Sequence, residues 1–569
     1  MSTSTRLKHL FPLAAQIRRY DSATLRGDLA AGLTTAIMLV PQAMAYAMLA
    51  GLDPIIGLYA STLPLATYAL LGTSRQLAVG PVAMVSLLVA SGVSALAGDD
   101  PGTYAALAAV LALLVGGMQL GMGVLRLGFL VRFLSHPVIA GFTSAAALII
   151  GLSQLGHLLG VKIARSHHVH EILWAALRHL GEANLVTVGI SAASIAALVV
   201  LKRLAPRFPR FLLVVVGGTL AVWGLGLDQL GVAIVGDVPP GLPGLSLPRI
   251  EPTQLGALIP VALTISLVGF MESISVAKNF ARVHRYEIDA DQELKALGIA
   301  NLVGSLSGAY PVTGGFSRTA VNDQAGARTG VASLITAGVV ALTLLFFTPL
   351  FYYLPRGVLA AIIMTAVFGL VDVSGARHLW RVSRPDLGLM GLTFLATLSL
   401  GIEQGIGVGV IASLLWFVWR TSRPHVAVLG RLPGSTVYRN VARHPEAAQT
   451  PGVLALRIDA PLFFANTAFL KATLDALESE EDHPLQHVVL DAKAIGSVDA
   501  QALDALEEIF DGYQHRGVSV WLAGVRGPVR DALHEAGLVE LIGEDHLVER
   551  VHQAIDATGL APIVRLVGG

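Results

Sequence analysis

The sequence predicts a polytopic α-helical membrane protein followed by a small α/β domain. Three observations predict it. The chain of 569 residues is 54% hydrophobic and only 14% charged, against about 25% charged in ordinary soluble proteins. Residues 27–420 consist largely of apolar runs of membrane-crossing length, joined by short polar connections. Residues 437–569 return to an ordinary charged composition. Four parts follow: a polar N-terminal segment (1–26), a transmembrane domain (27–420), a basic linker carrying Pro and Gly (421–436) and a C-terminal domain (437–569). The N-terminal segment lacks the apolar stretch of a cleavable signal peptide.

About fourteen spans are expected, near 29–50, 54–71, 80–98, 103–124, 133–159, 184–202, 211–227, 256–280, 293–308, 316–324, 330–350, 355–371, 386–401 and 403–420. Basic residues orient them. With the N-terminal segment in the cytoplasm, seven connections on that side hold most of the lysines and arginines that lie between spans, from Arg75 through Arg328 to Arg377, Arg381, Arg384, Arg420 and Arg423. The connection 161–183, with Lys162, Arg165 and Arg178, is the exception. The C-terminal domain is then cytoplasmic, and the expected location is the cell's inner (plasma) membrane.

Two spans are broken. GTSRQLAVGPVAMVS (72–86) reads as extended, then helical from Pro81. GAYPVTGGFSRTAVN (308–322) reads as extended to Gly315, then helical from about Phe316. They are the third and tenth spans, so each is third in a seven-span half. Irregular backbone survives in a bilayer only where it is buried in protein or lines a polar cavity. Matched interruptions in two inverted repeats mark a transporter's substrate site. Two converging helix N-termini, with Arg318 beside them, select for an anion. The glycines are expected to admit the substrate to backbone N–H groups. The competing reading is a pair of ordinary Gly/Pro kinks with a snorkelling arginine.

Glu272 lies mid-span in LTISLVGFMESISVAKNF (263–280), with Ser275 on the same face. A carboxylate there is costly and functional by default. It reads as a proton carrier, or as a structural ion pair with Arg318. Drawing a dianion into an inside-negative cell is opposed by about 4.6 kcal/mol per 100 mV, and one proton halves that. In the first span Gln42 and Tyr46 stand at i and i+4. They read as an uncharged donor and an aromatic wall of the site, or as an interhelical polar contact.

In the C-terminal domain, VLALRID (453–459), HVVLDAKAI (487–495) and VSVWLAGV (518–525) read as strands, with helices near 466–479, 500–514 and 527–536. Alternation suggests a small, mostly parallel sheet. The chain has no cysteine and a net charge of zero, so neither disulfides, thiolate metal sites nor a nucleic-acid partner is suggested. His167, His168, His170 and His179 lie in a loop read as solvated, and no metal or other cofactor is expected. No HExxH, GxSxG or P-loop motif argues for an enzyme.

VPQAMAYAMLAGLDPIIGLYAS (40–61, with Leu39 before it), the GTSRQLAVGP turn, MESISVAKNFARVHRYEIDADQELKALGIANLVGS and AYPVTGGFSRTAVNDQAGARTG together resemble the sulfate permease (SulP) family. The resemblance covers nearly the whole chain and ends in what looks like that family's STAS domain. It implies a uracil-permease-type fold, with spans 1–4 and 8–11 as a mobile core and 5–7 and 12–14 as a gate. It implies an elevator-like motion and a homodimer. It places Gln42, Tyr46, Gly80, Pro81, Ser275, Gly315, Phe316, Ser317 and Arg318 on the substrate site and Glu272 in proton coupling. A glutamate at 272 resembles proton-coupled sulfate carriers, so the expected cargo is sulfate with protons rather than sodium. Dicarboxylate, bicarbonate or chloride carriage is the alternative within the family. A sensor signalling through the STAS domain is the alternative of another class, but Ala500 stands where STAS antagonists carry their phosphorylated serine, and no output motif is present.

Overall fold

A computed structural model describes residues 12–17, 20–97, 100–129, 135–163, 169–204, 210–248, 252–480 and 483–561. His167 and His168 lie outside the described residues. Chain contacts divide the molecule into two compact units, Met1–Ser413 and Leu414–Gly569.

In the first unit, each of the fourteen apolar segments is helical. They are α1 (Ser22–Leu49), α2 (Pro54–Tyr59) with α3 (Leu63–Leu71), α4 (Ala83–Ala97), α5 (Pro101–Val124) and α6 (His136–Ser153) with α7 (Leu155–Leu159). After a short surface helix α8 (Val169–Arg178) come α9 (Leu185–Leu204), α10 (Arg210–Leu225), α11 (Pro252–His284), α12 (Ala290–Leu306), α13 (Phe316–Gln324) and α14 (Val331–Leu342). Then follow α15 (Arg356–Val367), a second surface helix α16 (Val373–Val382), α17 (Arg384–Leu400) and α18 (Ile402–Ser422), whose residues from Leu414 on fall in the second unit. Among the described residues, nine helical stretches are long and apolar enough to cross a membrane. The protein is a multi-pass membrane protein.

Local chemistry fixes the helix starts. Asp21, Asp100 and Asp289 cap α1, α5 and α12 by accepting first-turn N–H groups, from Thr24 at 2.7 Å, Thr103 at 2.8 Å and Asp291 at 3.0 Å. Two buried carboxylates hold turns. Glu293 accepts from the Tyr68 hydroxyl at 2.6 Å, the Thr73 N–H at 2.6 Å and the Ser74 N–H at 3.2 Å. Asp28 accepts from the Arg328 and Thr329 N–H groups at 2.7 and 3.1 Å. Neither carboxylate is left without donors, which is the condition for burying one.

The two interrupted segments cross. β1 (Val79–Gly80) pairs antiparallel with β2 (Thr313–Gly314), Val79 opposite Gly314 and Gly80 opposite Thr313. α4 begins at Ala83, so Pro81 lies just before the helix and not at its first turn, as its sequence context suggested. α13 begins at Phe316 as expected.

The second unit is a six-stranded sheet in the order β4-β3-β5-β6-β7-β8. β3 (Val426–Arg431) is antiparallel to both β4 (Tyr438–Asn440) and β5 (Val453–Ile458). β6 (His487–Asp491), β7 (Ser519–Ala523) and β8 (Leu547–Val548) continue from β5 in parallel. The stretch 421–436, expected as linker, thus supplies the strand β3. Its basic residues and prolines masked the alternation of VAVLGR, in which Ala427 and Leu429 are buried. One face of the sheet is covered by α19 (Thr467–Ser479), α20 (Ala500–His515), α21 (Gly527–Glu535) and α22 (Leu538–Ile542), the other by α23 (Val551–Ala557). Asp499 caps α20 through the Ala502 N–H at 2.8 Å and also accepts from the Phe464 N–H at 3.0 Å. Ala500 is the first residue of that helix.

Burial and the nearby His546 push His487, at the start of β6, below the ordinary histidine value of 6.5. The folded state therefore favours the neutral ring. The expected result is a loss of sheet stability as pH falls below 6.5 toward the depressed folded value, complete once the folded imidazole also charges. Hydrogen exchange of β6 amides in the full chain checks this: His487→Gln should flatten the pH dependence, and an unchanged slope counts against it.

Candidate functional site

The crossing is held from both sides by polar side chains. In α11, Ser273 is buried; its hydroxyl contacts Thr313 Oγ1 at 2.6 Å and accepts the Gly314 N–H at 2.8 Å. Thr313 donates in turn to the Gly269 carbonyl at 2.5 Å. Asn301 of α12 accepts the Val312 N–H at 2.8 Å and donates to the Val312 carbonyl at 3.1 Å. On the other side, the Ala78 N–H donates to Thr319 Oγ1 at 3.1 Å, and Asn322 Nδ2 donates to the Gln76 carbonyl at 2.8 Å. Backbone that leaves helix inside a membrane protein must find such partners. Replacing Asn301 with leucine is expected to strand two buried Val312 groups and lower stability by about 2–5 kcal/mol. Thermal unfolding in detergent checks this, and an unshifted midpoint refutes it.

Gly315 is the N-cap of α13 and supplies no side-chain cap, so the first N–H groups of the helix remain available. Arg318, in its first turn, is 1% exposed. Its Nη1 donates to the Pro81 carbonyl on the opposite segment. Its Nε and Nη2 have no hydrogen-bond partner. The side chain runs inward across the two breaks, so the snorkelling reading fails on geometry. Around it stand Tyr46, Glu272 and Tyr310 as electrostatic neighbours. Tyr310 is pinned by Ser86 of α4 at 3.0 Å.

Gln42 and Tyr46 of α1 meet each other: Gln42 Nε2 donates to the Tyr46 hydroxyl at 3.0 Å. Both are buried, and Gln42 Oε1 has no partner. Glu272 Oε2 is likewise buried and unpartnered. No direct Glu272–Arg318 ion pair forms among the described residues, although the two side chains are electrostatic neighbours. The cluster thus holds an unpaired carboxylate oxygen, an unpaired amide oxygen and two unpaired guanidinium nitrogens. Unsatisfied buried groups of this kind are rare in a folded chain, and each calls for a partner such as a water, an ion or a ligand.

The glycines act differently from the expectation. A methyl group on Gly315 would lie 3.0 Å from Arg318 Nη2 and 3.2 Å from Val82. One on Gly314 would lie 2.7 Å from Leu77. These positions make room for the arginine and for packing of the crossing, rather than for open approach to backbone. Gly80 lies beside the same guanidinium, with 3.5 Å to Nη2 from its added methyl. Ser275, Phe316 and Ser317 are exposed and are not hydrogen-bonded into this cluster. The Phe316 ring, 55% exposed, lies 6.2 Å from that of Phe280.

Sequence reasoning missed Ser273, Asn301, Thr319, Asn322 and Tyr310. Ser273 adjoins Glu272 in the same MES run, and Asn301 is the polar residue of an otherwise apolar stretch, so a search for mid-span polar residues would have found both.

The arrangement is that of a membrane transporter with an inward-facing cationic side chain at a helix crossing. The sulfate permease family profile matches residues 25–393, and the STAS domain profile matches 444–554. The chain is 42% identical over 562 residues to sulfate transporter 4.1, chloroplastic, of Arabidopsis thaliana, covering 96% of this chain and 82% of that one. It is 36% identical to high affinity sulfate transporter 2 of Stylosanthes hamata, covering 97% and 87%. Among solved structures, the inward-facing murine Slc26a9 anion transporter superposes with a TM-score of 0.91 at 26% identity, over 98% of this chain and 95% of that one. The transmembrane domain of a cyanobacterial bicarbonate transporter, BicA, gives 0.60 at 25% identity, over 69% and 98%. The protein belongs to the sulfate permease family and carries that family's STAS domain; it is a transporter, not an enzyme.

Proposed function

We propose that this protein is a secondary active inorganic-anion transporter, and that its reaction is proton-coupled sulfate symport. The observation that carries the reading is Arg318: buried, bonded across the crossing to Pro81, with two nitrogens unpartnered beside an uncapped helix N-terminus. An anion there accepts from the guanidinium and from the first N–H groups of α13, the strongest class of neutral-backbone and charge-assisted bonds available. Gln42 and Tyr46 flank it, and Ser275, Phe316 and Ser317 meet the anion on its way in. Glu272 carries the proton. The names of the relatives support sulfate as cargo.

In this reading the fourteen helical segments are two inverted seven-span repeats, with α4 and α13 as their matched third members. α1–α5 and α11–α14 form a core that moves, elevator-fashion, against a gate built from α6–α10 and α15–α18. The protein works as a homodimer in the plasma membrane, with N-terminus and STAS domain in the cytoplasm. The test is radiolabelled sulfate uptake into proteoliposomes, with and without an inward proton gradient, competed by fumarate, bicarbonate and chloride. Acid-stimulated, saturable sulfate uptake supports the proposal. Bicarbonate, favoured by the likeness to BicA, displaces the sulfate reading if it alone is carried.

A further inference from the structure

Two helices lie outside the fourteen apolar segments expected from the sequence. α8 joins the fifth and sixth apolar segments, and α16 joins the twelfth and thirteenth, so they occupy the same position in each half of the chain. Each is ten residues long. Each exposes a tryptophan: Trp174 is 58% and Trp380 65% exposed. Each tryptophan has an arginine four positions on, stacked over its ring. The Arg178 guanidinium carbon lies 4.9 Å from the Trp174 ring centre and that of Arg384 lies 6.0 Å from Trp380.

The inner composition of the two differs. In α8 the exposed face is apolar, with Leu173 and Leu177 beside Trp174. In α16 no residue is buried. Gly375, Ala376 and Leu379 turn toward the protein, Trp380 and Val373 form an exposed apolar edge, and Arg377 and Arg381 are exposed on the adjoining face. Arg384 opens α17 directly after it. These three arginines have no carboxylate within ion-pair distance among the described residues. The nearby Asp372 is committed to capping α16 through the Gly375 N–H at 2.7 Å.

Chain connectivity sets the depth of α16. It follows the end of α15 by a single 3₁₀ turn and abuts α17, so both its ends are tied to membrane-crossing helices. A short helix there, with an aromatic edge and an unpaired basic face, meets the boundary between acyl chains and headgroups.

We infer that α16 is a binding surface for anionic phospholipid headgroups, held by Arg377, Arg381 and Arg384, with Trp380 seated at the acyl boundary. α8, with a single arginine over its tryptophan, is the matching anchor without that charge selectivity. The occupant follows from charge complementarity: three unpaired arginines face a surface whose charged component is phosphate. A zwitterionic headgroup carries its own ammonium and competes poorly for them.

The test needs no transport substrate. The full chain is reconstituted in phosphatidylcholine vesicles with and without phosphatidylglycerol, extracted gently, and its retained lipids are counted by native mass spectrometry. Preferential retention of phosphatidylglycerol by the wild type is expected. Replacing Arg377, Arg381 and Arg384 together with glutamine should cut that preference at least tenfold, given roughly fivefold per arginine at an anionic surface. Replacing them with lysine should largely preserve it. Equal retention of both lipids by the wild type overturns the inference, as does an unchanged preference in a glutamine variant that elutes like the wild type. Disulfide crosslinking between two copies through Trp380→Cys in vesicles would also overturn it, because a second copy would then cover this face.

Discussion

Arg318→Ala is expected to abolish saturable anion uptake, with a loss in apparent affinity on the order of 100-fold or more. Two charge-assisted bonds to the anion vanish, each worth about 1.5–3 kcal/mol, and each 1.4 kcal/mol is a factor of ten. The substitution also removes the donor to the Pro81 carbonyl, so stability must be read beside uptake. Arg318→Lys separates the effects. Lysine keeps the charge but cannot direct one nitrogen at Pro81 and two more at an anion from a single rigid fork. It should fold with near-normal thermal stability and still transport poorly. Proteoliposome uptake with midpoints measured on the same samples decides it; a lysine variant at wild-type affinity would show that Arg318 only braces the crossing.

Glu272→Gln is the second large effect. The amide preserves shape and cannot bind and release a proton. Sulfate exchange in the absence of gradients should persist, while accumulation driven by external acid should fail. At 100 mV inside negative, losing one coupled proton removes about 2.3 kcal/mol of driving force, or about 50-fold in the steady-state ratio. The geometry motivates the expectation: the Glu272 Oε2 atom is buried with no partner, and Arg318 does not neutralise it by direct contact. Undiminished acid-driven accumulation in the glutamine variant would sink the coupling role. A passive pore lined by the same arginine would be indifferent to the change.

Much of this was legible in the chain itself, for identifiable reasons. Apolar length locates helices almost regardless of tertiary context, and most helical segments fall within about four residues of where hydropathy put them, although α1 begins at Ser22 rather than near residue 29. The C-terminal strands followed from β-branched runs, and the start of α13 from Gly315. Arg318 stood out because a charge between membrane-length apolar runs has no bland surroundings. What was not legible is pairing. Nothing in the local sequence says that Asn301 serves Val312 beyond the end of its helix, or that Glu293 gathers the turn at Thr73 and Ser74, some 220 positions away. The glycines misled for a related reason. Permissive backbone at 314 and 315 was read as access for a ligand, whereas the space beside it is filled by Leu77 and by the guanidinium itself. β3 was missed because alternation over six residues is a weak signal beside prolines and arginines.

The crossing of β1 and β2 also bears on how the protein is made. Arg318 bonds to a carbonyl 237 positions earlier, so neither half contains a finished site. During synthesis the first interrupted segment enters the membrane with its extended backbone lacking the partners that Thr319, Asn322 and Gly315 later supply. It must wait, shielded by earlier helices or by the insertion machinery, until the second half emerges. Biogenesis, rather than the finished fold, is then the stage most exposed to damage. Substitutions that merely slow the meeting of the two halves should surface as degraded protein, even where the mature transporter would have tolerated them.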